Sequence, residues 1–191
     1  MKIGLFFGSF NPIHIGHKVI ASYLVDFTDL DKVMFLVSPQ NPLKQKISLL
    51  DQYHRLQIIR AEIEDNSKLA VSDIEFDMPK PSYTIDTLVR LKEKYPENDY
   101  SIIMGSDNLQ NFHKWKNYEQ ILEDYSIYVY PRPGYEISGS HKNIHVIEGV
   151  PQMEISSSFI RKSIKEGKDI SYLMPEKAWI YTDEMNFYKK S

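Results

Sequence analysis

The stretch Lys2-Ile3-Gly4-Leu5-Phe6-Phe7-Gly8-Ser9-Phe10-Asn11-Pro12-Ile13-His14-Ile15-Gly16-His17 decides the fold. Ile3 to Phe7 is a continuous apolar run ended by Gly8-Ser9, which reads as a strand buried on both faces. Val19, Ile20, Tyr23, Leu24 and Phe27 then recur at helical spacing. A buried strand running through a glycine turn into a helix is the opening of a parallel α/β sheet.

The rest of the chain repeats that alternation. Val33 to Val37 is a second strand, stopped by Ser38-Pro39, and a helix from Asp51 carries Tyr53, Leu56, Ile59 and Ile63 on one side. Leu69 to Ile74 is strand-like, and Pro79-Lys80-Pro81 marks a loop. Ile85, Leu88, Leu91 and Tyr95 give a helix closed by Pro96. Tyr100 to Met104 is a strand followed by Gly105, Tyr125 to Tyr130 another, and Ile144 to Ile147 an edge strand. Phe159, Ile160 and Ile164 mark a short helix, and Pro175 opens a last one through Trp179. The expected fold is therefore α/β, a doubly wound, Rossmann-like parallel sheet with helices on both faces, in one domain over residues 1–191. Such sheets bind ligands at the carboxyl ends of their strands, which directs attention to the turns after Phe7, Val37 and Met104.

Composition narrows the chemistry. The 191 residues are 42 % hydrophobic and 26 % charged, with a net charge of −3, and a domain this long buries roughly 70 % of its unfolded surface. The acid excess argues against nucleic acid as a partner, because phosphate neutralisation supplies most of that affinity. With no cysteine, disulfides, thiolate metal sites and cysteine nucleophiles are excluded. No apolar run suits a signal peptide or a membrane span, so a cytoplasmic protein without membrane association is expected. Tyr172, Leu173, Trp179 and Ile180 read as packing against the sheet.

Two places carry chemistry. In the first turn, Gly8 permits a sharp bend, and the helix start offers unpaired amides to an anion. His14 and His17, three apart at that start, could donate to phosphate oxygens; equally, His17 could cap and pack while His14 lies at the surface. A metal site would need a third ligand, and none is assigned. The second place is Ile155-Ser156-Ser157-Ser158-Phe159-Ile160-Arg161, where three hydroxyl residues at a helix start and an arginine one turn in suit phosphate. A plain N-cap with a surface arginine reads the same segment without function.

Gly-Ser-Phe-Asn-Pro-Ile-His-Ile-Gly-His from Gly8 to His17 resembles the signature of the HxGH nucleotidylyltransferase superfamily. Class I aminoacyl-tRNA synthetases share a bare HxGH, but the chain is too short for them and lacks a Lys-Met-Ser-Lys-Ser-type loop. Ile155 to Arg161 resembles the Ile-Ser-Ser-Thr-x-Ile-Arg motif of mononucleotide adenylyltransferases, with Ser158 in place of threonine. Ser82-Tyr83-Thr84-Ile85-Asp86-Thr87-Leu88, Gly105-Ser106-Asp107 with Phe112 and Trp115, and Ser38 to Lys44 are similar to segments of bacterial nicotinate-nucleotide adenylyltransferases. Leu43 stands where that family often has a histidine. The matching segments run from residue 3 to about 164.

The resemblance implies an enzyme of NAD biosynthesis, a nucleotidyltransferase joining ATP and nicotinate mononucleotide to give nicotinate adenine dinucleotide and pyrophosphate. It implies His14, His17 and Arg161 as catalytic residues. It implies Gly8, Ser9, Phe10, His14, His17, Gly105, Asp107, Ile155, Ser156, Ser157, Ser158 and Arg161 around ATP. On the acceptor side it implies Lys44 at the 5′-phosphate, Trp115 stacked on the pyridine ring, and Thr84 with the backbone at 83–85 and 115–117 at its carboxylate. Asp107 could instead cap the following helix, Trp115 could be core, and Phe112 is expected to be core. Mg²⁺ is implied as cofactor, held mainly through substrate phosphates, with no protein metal ligand. Partners are the two small molecules, and a homo-oligomer is compatible with the sequence. The alternatives are an adenylyltransferase using nicotinamide mononucleotide, and a non-catalytic nucleotide-binding module that kept the fold.

Overall fold

The computed structural model describes residues 1–39, 49–137 and 141–190. Six parallel strands stand in the order β3-β2-β1-β4-β5-β6. They are β1 (Lys2–Gly8), β2 (Lys32–Val37), β3 (Leu69–Ser72), β4 (Asp99–Gly105), β5 (Ser126–Tyr130) and β6 (Ile144–Val146). The chain lays down β1 to β3 outward in one direction, then returns to the other side of β1 for β4. That reversal leaves a crevice beyond the carboxyl ends of β1 and β4, whose register pairs Leu5 with Ile102 and Phe6 with Ile103.

Alternation along the strands builds two cores. Phe6, Val33, Phe35, Ile103 and Tyr128 face one side and pack with Leu24 of α1 (Ile15–Phe27), Leu56 and Ile59 of α2 (Gln52–Ile63), Ile160 of α6 (Ser157–Lys165) and Ala178 of α7 (Glu176–Glu184). Leu5, Leu36, Ile102, Met104 and Ile127 face the other, against Leu88 and Leu91 of α3 (Thr84–Lys94), Leu109 of α4 (Ser106–Gln110) and Ile121 of α5 (Tyr118–Asp124). Burial on both faces explains why the strands read as unbroken apolar runs.

Several expectations are corrected. The strand-like segment at Leu69 ends at Ser72, so Ile74 belongs to a turn. Phe27, Phe159 and Tyr172 fit a helical or packing pattern yet lie largely exposed, Phe27 stacking its ring on Tyr23 at 4.4 Å. Pro175 does open α7, as its N-cap, but the helix continues past Trp179 to Glu184. It joins the core on the Phe35 face of the sheet through Ala178 and Trp179 and also packs along α2, where the Glu62 carboxylate accepts from the amides of Lys177 (3.1 Å) and Ala178 (3.4 Å) at the α7 N-terminus. Among the described residues no helix is long and apolar enough to cross a membrane.

Candidate active site

The first turn is built from buried backbone. Gly8 ends β1 where a Cβ would stand 2.8 Å from the Phe10 ring, so only glycine lets that ring fold beneath the turn. Phe10 is buried and held at φ 43°, a left-handed conformation that packing must stabilise in an aromatic residue. Behind the turn, fully buried Arg55 donates to the carbonyls of Ser9 (2.6 Å), Ser38 (2.9 Å) and Leu50 (2.8 Å). Its guanidinium ties the ends of β1 and β2 together, and burial lowers its pKa to about 10.

His14 is the N-cap of α1 and is only 5 % exposed, which overturns the alternative that places it at the surface. Its ring stacks on that of His17 with centroids 3.6 Å apart. The His14 amide donates to His17 Nδ1 at 3.2 Å, an arrangement that leaves the proton of a neutral His17 on Nε2. Burial, and then the charge of Arg132, push the His14 pKa down to about 4, so its imidazole is neutral at pH 7. His14 Nδ1 is buried without a hydrogen-bond partner among the described residues. Gly16 makes room for this ring, since a Cβ there would come within 3.2 Å of it.

The start of α6 docks on the same turn. Ser156 is the N-cap and accepts from the Phe159 amide at 3.2 Å, while Ser157 donates its hydroxyl to the Pro12 carbonyl at 2.9 Å. Arg161 donates to the Asn11 carbonyl at 2.7 Å and to Ser158 Oγ at 3.2 Å; the rest of its fork remains for other acceptors. Ile155 packs partly buried against the core. Two segments whose bonded residues lie 145 and 150 positions apart in sequence are thus one surface.

At the end of β4, Gly105 is the N-cap of α4, so Asp107 does not cap that helix. Asp107 Oδ2 instead pairs with Arg132 at 3.3 Å, and its buried Oδ1 has no partner among the described residues. Arg132 was missed in the sequence, where Pro131-Arg132-Pro133-Gly134 reads only as the stop of a strand. It follows β5, the strand beside β4, and the rule that strand ends bear ligands could have found it. A Cβ on Gly105 would lie 2.9 Å from Arg132 Cδ, so the glycine lets the arginine lie across.

From His17 a cleft of about 560 Å³ runs across the switch point to Thr84 and Trp115. A smaller recess of about 70 Å³ opens on its other side between His14, Gly16, Ile20, Pro133 and Ile155. His17, Tyr130 and Arg132 line both. In the larger cleft Thr84 is the first residue of α3, and its N-cap Tyr83 supplies no side-chain acceptor to the helix amides. Trp115 is half-buried, its ring edge-on to buried Phe112 at 5.4 Å, and Phe112 is core as expected. Lys116 pairs with Asp86 at 3.0 Å and lies 5.1 Å over the Tyr83 ring. Glu75, also missed in the sequence, is 3 % exposed; it accepts from the hydroxyls of Ser82 and Thr87, each at 2.8 Å, and its pKa is raised by burial. Lys44 lies outside the described residues.

A glycine turn with stacked imidazoles over the switch point, closed by a hydroxyl-rich helix start, defines a nucleotide-binding α/β protein of the nucleotidyltransferase class. The comparisons with known proteins are specific. The cytidylyltransferase-like family model matches residues 5–163. Proteins named "Probable nicotinate-nucleotide adenylyltransferase" are 56 % identical in Flavobacterium johnsoniae and 52 % in Flavobacterium psychrophilum, over 100 % of this chain and 100 % of each of theirs. A Plasmodium falciparum nicotinic acid mononucleotide adenylyltransferase complexed with NaAD has the same fold, with a TM-score of 0.81 at 21 % identity over 98 % of this chain and 97 % of its own. The chain belongs to the cytidylyltransferase-like family and, within it, to the nicotinate-nucleotide adenylyltransferases.

Proposed function

We propose that the chain transfers the adenylyl group of ATP to the 5′-phosphate of nicotinate mononucleotide, forming nicotinate adenine dinucleotide and pyrophosphate, a step of NAD biosynthesis. The observation that carries this reading is the pair of joined cavities. The histidine turn and the α6 start stand at one end, and the α3 N-terminus and Trp115 at the other. A site that joins two nucleotides needs a place for each and a shared wall where phosphates meet, which His17 and Arg132 form.

ATP lies over Gly8, Ser9 and Phe10 with its base towards the smaller recess and its phosphates towards Ser156, Ser157, Ser158 and Arg161. Asp107 Oδ1, buried and unpartnered among the described residues, suits a ribose hydroxyl donor beside Gly105. An oxygen of the acceptor phosphate attacks the α-phosphorus in line, a new P–O bond forms, and the bond to the β-phosphate oxygen breaks as pyrophosphate leaves. No side chain needs to be a nucleophile, so positioning and charge stabilisation supply the catalysis. His14, neutral at pH 7, acts there as a hydrogen-bond donor rather than a charge, and His17 offers Nε2–H beside it. Arg161 and Arg132 supply the positive charge that the departing pyrophosphate requires.

Mg²⁺ belongs with the nucleotide, where it neutralises phosphate charge. Such an ion keeps most of its hydration and would be carried by phosphate oxygens and water. At the acceptor end Trp115 offers a stacking face, and the open amides of α3 at Thr84 suit a carboxylate. Lys44 remains the residue proposed for the 5′-phosphate.

The test is pyrophosphate release from Mg-ATP with nicotinate and nicotinamide mononucleotides run side by side. Strong preference for the acid is expected. Comparable rates would shift the reading to an enzyme of dual specificity, and release with neither would overturn it.

A further inference from the structure

The chain beyond α7 does more than pack. After Glu184 it turns back towards the first turn, with the Phe187 amide on the Thr182 carbonyl at 3.0 Å and the Phe187 ring 4.8 Å from that of His54. Asn186 (φ 55°) and Tyr188 (φ 65°) both hold left-handed backbone, which an asparagine tolerates and a tyrosine rarely adopts. Such a conformation persists only where its contacts over-determine it. The contact at the end of this path is one hydrogen bond: the Tyr188 hydroxyl donates to Asn11 Oδ1 at 2.7 Å.

Asn11 is buried, and both its side chain and its backbone carbonyl accept hydrogen bonds. Oδ1 takes the Leu50 amide (3.2 Å) together with the Tyr188 hydroxyl, while the Asn11 carbonyl receives the Arg161 guanidinium (2.7 Å). Tyr188 therefore reaches Arg161 through one residue, and it lies close enough to the guanidiniums of Arg161 and Arg55 to feel both charges.

We infer that Tyr188 is a positioning residue for the adenylyl-transfer reaction: through Asn11 it holds the carbonyl that aims Arg161 at the ATP phosphates. This rests on the assignment of Arg161 to those phosphates. The role belongs to one end of the cleft, because Asn11 lies in the histidine turn and Arg161 at the start of α6.

Tyr188→Phe removes the hydroxyl and keeps the ring. Losing one hydrogen bond of ordinary strength predicts a rise of about fivefold in the KM for ATP. The KM for the mononucleotide stays within about twofold, and the melting temperature within about 5 °C of the parent. Tyr188→Leu, which also loses the ring, lowers the melting temperature further but gives the same ATP KM. In an Arg161→Gln background, Tyr188→Phe adds less than about twofold, because the two act on one path. An unchanged ATP KM, an equal rise in both KM values, a shift that tracks melting temperature, or the full factor persisting in the Arg161→Gln background would each overturn the inference. If Arg161→Gln itself leaves the ATP KM unchanged, the phosphate assignment falls and this inference with it. An ATP KM that needs Arg161 but ignores Tyr188 removes only the latter.

Discussion

The two ends of the cleft are built on different principles. At the histidine end, residues from α2, α6 and the chain terminus converge on the stretch from Ser9 to Pro12: buried Arg55 and half-buried Ser157, Arg161 and Tyr188 each donate to it. Little volume is left, and polar atoms such as His14 Nδ1 already face it unpaired among the described residues. At the Trp115 end the cleft is wide, Trp115 is only half-buried, and Lys116 on its wall is half-exposed and paired with an equally exposed Asp86. Where bonds are made and broken, misplacement is costly and the groups are fixed in advance. Where a ring has only to be stacked and a carboxylate met, a looser wall suffices.

That contrast is tested hardest at His14. His14→Ala should lower kcat about 100-fold, the scale for losing one fixed transition-state donor, with little change in the KM for the mononucleotide. Turnover within about twofold of the parent would remove His14 from the chemistry. The same variant carries a stability signature. With a folded pKa near 4 against 6.5 for an unperturbed histidine, the unfolded chain binds the extra proton between those values. Stability is thus full above pH 6.5 and falls as pH drops towards 4, by an amount of order 3 kcal/mol from this one group. In denaturant titrations over that range, His14→Ala should flatten the decline by a measurable part of this; an unchanged slope would mean that the ring is not desolvated.

At the looser end the expected loss is smaller and of a different kind. Trp115→Ala should raise the mononucleotide KM about tenfold, the worth of one stacked ring, and leave the ATP KM nearly unchanged. If both constants rise together, Trp115 supports the fold through Phe112 rather than the substrate, and the division of the cleft loses its clearest marker.

The same division governs what could be read from the chain. The histidine end was legible because its parts are contiguous: a strand, a glycine turn and a helix start fix Gly8, His14 and His17 by local geometry, and three serines do so for α6. The parallel sheet with helices on both faces followed from unbroken apolar runs alternating with helical spacing, whereas the order of its strands did not. What escaped depends on contacts between distant segments. Arg55 sits in a helix whose pattern gives no hint that its guanidinium is buried on carbonyls, and Glu75 lies in a loop between β3 and α3. Tyr188 acts 177 positions from its partner. The short helices α4 and α5 span five and seven residues, too few for a 3.6-residue period to show.

Glu75 offers the finest test of the contrast, because it is a buried, fixed group at the end that is otherwise loose. Its carboxylate holds the hydroxyls of Ser82 and Thr87 on either side of Tyr83 and Thr84, and so sets where α3 begins. Glu75→Gln keeps the shape and one acceptor oxygen, and a hydroxyl can rotate to accept from the new amide. The mononucleotide KM should then rise only about twofold to threefold with the ATP KM unchanged, the effect of a few tenths of a kcal/mol on a wall that still closes. A shift of tenfold or more, confined to the mononucleotide, would show that the start of α3 is fixed as tightly as the histidine turn. The two ends would then differ in how much space they leave rather than in how firmly they are held.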